Sequence, residues 1–168
     1  PIGFFSSKFS LHLRRPSFIF PTNMSASKKI IEELRKLGHP SRAAATARFF
    51  KTTKGSYGAG DLFLGVRVPQ TRQMAAKYAG IGESTLTDLL DSKWHESRLL
   101  GLIILTNRAK QAIARSDLSA QTKVYRLFQN NIARVNNWDL VDVCAPWIVG
   151  AYLCNRPDPI RKKWLKSK

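Results

Sequence analysis

The run Asn136-Asn137-Trp138-Asp139-Leu140-Val141-Asp142-Val143-Cys144-Ala145-Pro146-Trp147 holds the side chains best placed to do chemistry. Asn137 has the residue type of a helix N-cap, whose side chain accepts a hydrogen bond from a backbone amide two or three positions on. Asp139 then falls in the first turn. A carboxylate there complements the positive end of the helix dipole, which is a structural role. Asp142 lies too deep for a cap. It follows Trp138 by one turn, so the two side chains share a face. Its expected neighbours are Trp138, Val141 and Ala145, and a carboxylate among apolar groups needs a partner, a proton or a task. Pro146 has no amide hydrogen to give the carbonyl of Asp142, so the helix is expected to bend beside the acid. Two readings stand at this level. Asp142 faces a ligand at a kink, or the kink is structural and Asp142 is bonded to a neighbouring arginine.

Other chemistries find less support. Cys144 and Cys154 are the two cysteines, too few for a disulfide framework or a four-ligand zinc site. His39 beside Pro40 and His95 after Trp94 both read as structural, at helix ends. No spacing of His, Cys and Asp reads as a metal site, and no Ser-His-Asp arrangement is indicated. The glycine-rich stretch 54–61 lacks the spacing of a phosphate-binding loop and has no buried strand before it.

Charge points to the partner. Among 168 residues, 28 are Lys or Arg and 11 are Asp or Glu, a formal net charge of +17. Such an excess repels itself in the folded state and favours polyanions, nucleic acid first and an anionic membrane surface or acidic protein second. Residues 1–31 contain no acid and many Ser, the composition of an organellar transit peptide. Met24 directly precedes a plausible helix start at Ser25-Ala26-Ser27, so residues 1–23 are read as a leader or as upstream sequence. The longest apolar run, Leu99–Leu105, is far short of a membrane span.

The elements that must position these side chains are helical. Ser25 or Ser27 can cap a first helix through Ile30, Ile31 and Leu34, which Gly38 and Pro40 end. A second, alanine-rich helix runs from Ser41 to Phe49-Phe50. Pro69 opens a third, to about Tyr78, and a shorter one spans 83–90. The segment from Trp94 to Arg108 is apolar nearly all round, the mark of a core helix. Val124, Leu127, Phe128, Ile132 and Val135 keep helical spacing. Another helix runs from Trp138 past Tyr152, and a last begins near Pro157. Leu62–Val68 is too isolated to make a sheet. The expected fold is all-α, an α-solenoid or compact helical array of paired amphipathic helices.

Four segments carry a resemblance. They are Phe49-Phe50-Lys51-Thr52, Phe63-Leu64-Gly65-Val66-Arg67-Val68-Pro69, Trp94-His95-Glu96-Ser97-Arg98-Leu99-Leu100-Gly101-Leu102, and Asn136 to Asp142 with Ala145-Pro146. In this order, from about Ser25 onward, the chain resembles the AlkD-like DNA alkylation repair family. The resemblance implies a solenoid of HEAT-like repeats over residues 24–168 with a basic, concave DNA-binding face. It implies a DNA glycosylase that excises N3- and N7-alkylated purines without metal or organic cofactor. Asp142 matches the family's catalytic carboxylate and Trp138 the aromatic residue one turn before it. Phe49 falls where some members place a tyrosine, so an aromatic contact carries over and a hydroxyl does not. Arg48, Lys51, Arg67, Arg72 and Arg98 are candidates for phosphate contacts, or solvated surface charges.

Members of that family continue past the position of Lys168, with an arginine on the DNA-contacting face, so the chain reads as C-terminally truncated. They capture the strand without a tight pocket for a flipped base, in keeping with few candidate pocket residues here. The partner implied is duplex DNA with alkylated bases, bound by a monomer with no membrane association. The expected location is cytoplasmic and nucleoid-associated, or organellar or nuclear if residues 1–23 are a targeting segment. The alternative is a non-catalytic helical scaffold that binds nucleic acid or protein, since fold alone does not decide function.

Overall fold

The computed structural model describes residues 25–154 and 156–166. The expected leader, residues 1–23, lies outside the described residues. The fold is all-α: no strand occurs among the described residues, and the only extended pairing there is one isolated parallel bridge, Leu62 with Trp94. No helix among them is long and apolar enough to cross a membrane.

The N-terminal half follows its sequence closely. Ser25 caps α1 (Ala26–Leu37) by accepting from the Lys28 amide, and Ile30 and Leu34 are the buried stripe. Pro40 opens α2 (Pro40–Phe49). Pro69 lies in the first turn of α3 (Val68–Lys77), where its missing N–H has no partner to lose. In α4 (Glu83–Leu90), Leu86, Leu89 and Leu90 face inward. The expected end of α1 at Gly38 is found, but for a different reason. Gly38 has φ −68°, not the left-handed cap conformation. A Cβ there would stand 2.5 Å from the Leu64 carbonyl oxygen, so the position is bare because the 62–67 strap crosses it.

Helix α5 (His95–Ala114) runs through the middle and packs on α3, α4, α6 and α7. Its run from Leu99 to Leu105 is buried without a break, as an all-round apolar helix requires. It continues a turn and a half beyond Arg108, because Ala109 and Ala112 still meet the core. Helix α6 (Leu118–Asn130) ends earlier than its apolar spacing indicates. Ile132 falls in a 3-10 turn, Ile132–Arg134, and Val135 beyond it. The periodicity runs on across a break that the Asn130-Asn131 pair makes.

Helix α7 (Trp138–Cys144) leads into a π-helical segment, Ala145–Gly150, then α8 (Ala151–Cys154) and, after Pro157, α9 (Asp158–Lys166). The single long helix expected past Tyr152 is therefore interrupted. The cause is Pro146: without an N–H it cannot continue the four-residue ladder, and the backbone widens to five-residue bonds, Ala151 N–H to Pro146 carbonyl among them.

Candidate functional site

The strap 62–67 crosses between α2 and α5 and is pinned by one side chain. Glu96, buried in the first turn of α5, accepts backbone N–H bonds from Leu64 (2.9 Å), Gly65 (2.7 Å) and Val66 (3.2 Å). Gly65 adopts φ +76°, and a Cβ there would meet the His39 carbonyl oxygen at 2.4 Å and the Ala43 amide nitrogen at 2.6 Å. Only glycine fits such a crossing. On its other side Arg42 of α2 donates to the Gly65 carbonyl at 2.8 Å. The strap thus fixes α2, whose last residue is Phe49.

Aromatic rings gather at this junction. Trp138, the first residue of α7, is 48 % exposed and Phe49 66 %. Their ring centroids are 6.1 Å apart, edge to face. Phe50 lies 5.5 Å from Trp138 and stacks on Phe63. Beside them opens a cleft of about 760 Å³ whose walls include Phe49, Phe50, Phe63, Val66, Arg67 and Asp139. The sequence showed few residues for a pocket. The structure builds one from three Phe rings drawn from two distant segments.

Asp142 is placed differently from its expectation. It is exposed rather than enclosed by apolar groups, and among the described residues it makes no hydrogen bond or ion pair. One turn separates it from Trp138 within the regular part of α7, so it lies on the face that carries the indole. The arginine partner of the structural reading is not found among the described residues. Arg48, Lys51, Arg67 and Arg72 are exposed, and Arg67 also lines the cleft. Arg98 is the exception among the candidate phosphate ligands. It is buried, 2.7 Å from Asp61 and 2.9 Å from the Ser92 carbonyl, so it is an internal ion and cannot reach a phosphate.

Asn137 occupies the N-cap position of α7 but makes no capping bond. Its side chain is buried, and neither Oδ1 nor Nδ2 has a partner among the described residues. What holds the start of α7 instead is a buried polar group that the sequence reading missed. His95 Nε2 stands 2.7 Å from Asp139 Oδ2, and Nδ1 stands 3.4 Å from Asp61 Oδ2. Asp61 Oδ1 accepts from Asn136 at 2.9 Å and from Arg98 at 2.7 Å. A clue was present: His95, Glu96 and Arg98 directly precede the buried apolar run Leu99–Leu105 of α5, and buried charges of that kind need partners. Their partners across the site, 30 to 44 residues away, could not be read.

These contacts set the titration of the group. Burial works hardest against the Asp61 carboxylate, yet hydrogen bonds from His95 and Asn136 and the Arg98 guanidinium outweigh it and hold the pKa at about 2, below its ordinary 3.8. Burial likewise disfavours the His95 imidazolium, but the hydrogen bonds to Asp139 and Asp61 raise its pKa above the ordinary 6.5. A lowered Asp61 stabilises the fold above about pH 4 and loses that contribution as pH falls toward 2. A raised His95 stabilises it below about pH 6.5 and loses that contribution as pH rises through its folded value. The free energy of unfolding, and with it the urea midpoint, should therefore be highest between about pH 4 and 6.5 and fall on both sides, the free energy by on the order of 2 kcal/mol on the acid limb from Asp61 alone. A midpoint that rises steadily from pH 5 to 8 would contradict the bridged histidine.

Among the described residues no three His, Cys, Asp or Glu side chains are grouped as a metal ion would need. Comparison with curated proteins and with solved structures returned no significant match. The family model described as "DNA alkylation repair enzyme" matches residues 30–168, most of the chain. The chain belongs to the DNA alkylation repair enzyme family. Family membership brings DNA repair as its activity and DNA as its substrate. The match takes in the strap, the cleft and all of α7, and so every residue of the site described above.

Proposed function

We propose that the chain is a DNA glycosylase that hydrolyses the N-glycosidic bond of N3- and N7-alkylated purines in duplex DNA. The carrying observation is the unpaired Asp142 carboxylate on the Trp138 face of α7, in a chain of the DNA alkylation repair family. Alkylation at N3 or N7 gives the purine a positive charge. It then leaves without a proton, taking the electrons of the C1′–N9 bond and becoming neutral. The sugar left behind develops oxocarbenium character, as in other glycoside cleavage. The Asp142 carboxylate stabilises that cation and orients water, whose oxygen bonds to C1′ as its proton passes to solvent water. Exposure of Asp142 in the free chain fits a site that DNA itself closes: the duplex excludes water when it docks, and the charge interaction strengthens. Trp138 and Phe49 pack against the sugar and strand, and Arg48, Lys51, Arg67 and Arg72 pair with phosphates. The helices stack as HEAT-like pairs of a solenoid, and the chain acts as a monomer.

Two measurements test this reading. Incubated with methylated duplex DNA, the protein should release 7-methylguanine, detected by chromatography. Four neutralised phosphates would weaken DNA binding about 100-fold between roughly 50 and 200 mM salt. Steep salt dependence without any released base would make the chain a nucleic-acid-binding scaffold. Salt-insensitive binding would remove DNA as the ligand of this face.

A further inference from the structure

We propose that His95 is the positioning residue of this site: held between Asp61 and Asp139, it fixes the first turn of α7 and so the aim of Trp138 and Asp142. The inference rests on the reading that α7 carries the reacting groups.

Helix α7 has seven residues before the π segment begins. A helix so short does not hold itself, and its N-cap side chain makes no capping bond. Its start is tied from outside at two points that flank Trp138. Asn136, two residues before the indole, donates to Asp61 Oδ1 at 2.9 Å. Asp139, one residue after it, meets His95 Nε2 at 2.7 Å. Both ties converge on the His95–Asp61 pair, whose side chains are almost wholly buried.

The faces of the imidazole supply a third link. Its centroid stacks 4.7 Å from Phe63 and 5.2 Å from Phe50, and Phe50 in turn meets the Trp138 ring at 5.5 Å. One ring therefore reaches Trp138 by hydrogen bonds on its edges and by packing on its faces. The charged groups about it are Asp61 just before the strap, Asp139 from α7, and Arg98 and Glu96 from α5 itself. Phe50, the residue just past α2, stacks on it. Glu96 is committed to the strap amides.

Protonation decides how many ties hold. The imidazolium donates from both nitrogens and bridges both carboxylates, whereas neutral imidazole donates from one. On losing its proton, His95 must give up Asp139 or Asp61, and the start of α7 loosens.

The test uses the whole chain labelled with 5-fluorotryptophan. The Trp138 line in the fluorine spectrum is assigned by its loss in Trp138→Phe. In the unsubstituted chain that line should shift with pH in step with the His95 imidazole, followed by its own carbon-bound proton. In His95→Phe, which keeps the ring stack and removes the imidazole's bonds to Asp139 and Asp61 while leaving the Asn136–Asp61 bond, the line should stop titrating and broaden or double. Single-turnover base release at saturating DNA should fall more than tenfold, with DNA affinity within about threefold. A Trp138 line that ignores the His95 titration and is unchanged in His95→Phe would overturn the proposal. If His95→Phe does not fold, the titration of the unsubstituted chain decides alone. If the unsubstituted chain releases no base, the glycosylase reading fails while the fluorine result still judges the tether.

Discussion

Glu96→Ala should lower the free energy of unfolding by about 3 kcal/mol or more. Three backbone amides depend on that carboxylate. Leaving one buried donor unsatisfied costs about 1–3 kcal/mol, and a charged acceptor makes the stronger bond. The three costs do not add in full, since Glu96 borders the open cleft and water can enter in its place. Glu96→Gln keeps one acceptor oxygen but turns an NH2 group toward the amides, and should lose about half as much. Urea unfolding followed by circular dichroism measures both. A midpoint shift equivalent to less than about 1 kcal/mol for Glu96→Ala would show that the strap holds without its anchor.

The same substitution should reach the cleft. The strap sets the Gly38 crossing, the Arg42 bond to the Gly65 carbonyl and the bond from the His39 amide to the Leu64 carbonyl at 2.9 Å. Those contacts place α2, and α2 ends in Phe49. Stability and site geometry are coupled here through one carboxylate.

How much of this was legible depends on the range of the interaction. Helix α4 could be read to the residue, since Leu86, Leu89 and Leu90 make one stripe and Gly82 precedes it. Helix α5 could be read as central from its own composition. Local signals misled where two rules competed. The spacing of Ile132 and Val135 continued a stripe that the Asn130-Asn131 pair had ended. Asn137 has the right type and position for a cap, yet the tether through Asp139 does that work and leaves its amide without a bond. The burial expected for Asp142 failed because a helix of seven residues has one buried face, and Leu140 and Cys144 take it. Trp138 and Asp142 are left on the other.

The parts of the site that escaped the sequence are all long-range. Asp61 and His95 are 34 residues apart, and Asp139 lies 44 beyond His95. Nothing in the local pattern joins them. Arg98, beside the buried apolar run of α5, needs a counter-charge, and Asp61 supplies it from 37 residues away. In the sequence Arg98 is a candidate phosphate contact or a solvated charge like its basic neighbours, because basic residues near a motif look alike until burial separates them.

The central claim is that the Asp142 carboxylate stabilises cationic character on the sugar as an alkylated purine leaves. Asp142→Asn keeps the shape of an exposed side chain that has no hydrogen bond to lose, and removes the negative charge together with one acceptor oxygen. Single-turnover release of 7-methylguanine from methylated duplex DNA, at saturating protein, measures the consequence. Asp142→Asn should slow release about 100-fold or more, on the scale of removing one electrostatic group from a transition state. Affinity for the same DNA should stay within about threefold, and the urea midpoint should not move. Release by Asp142→Asn at the rate of the unsubstituted protein would contradict the account.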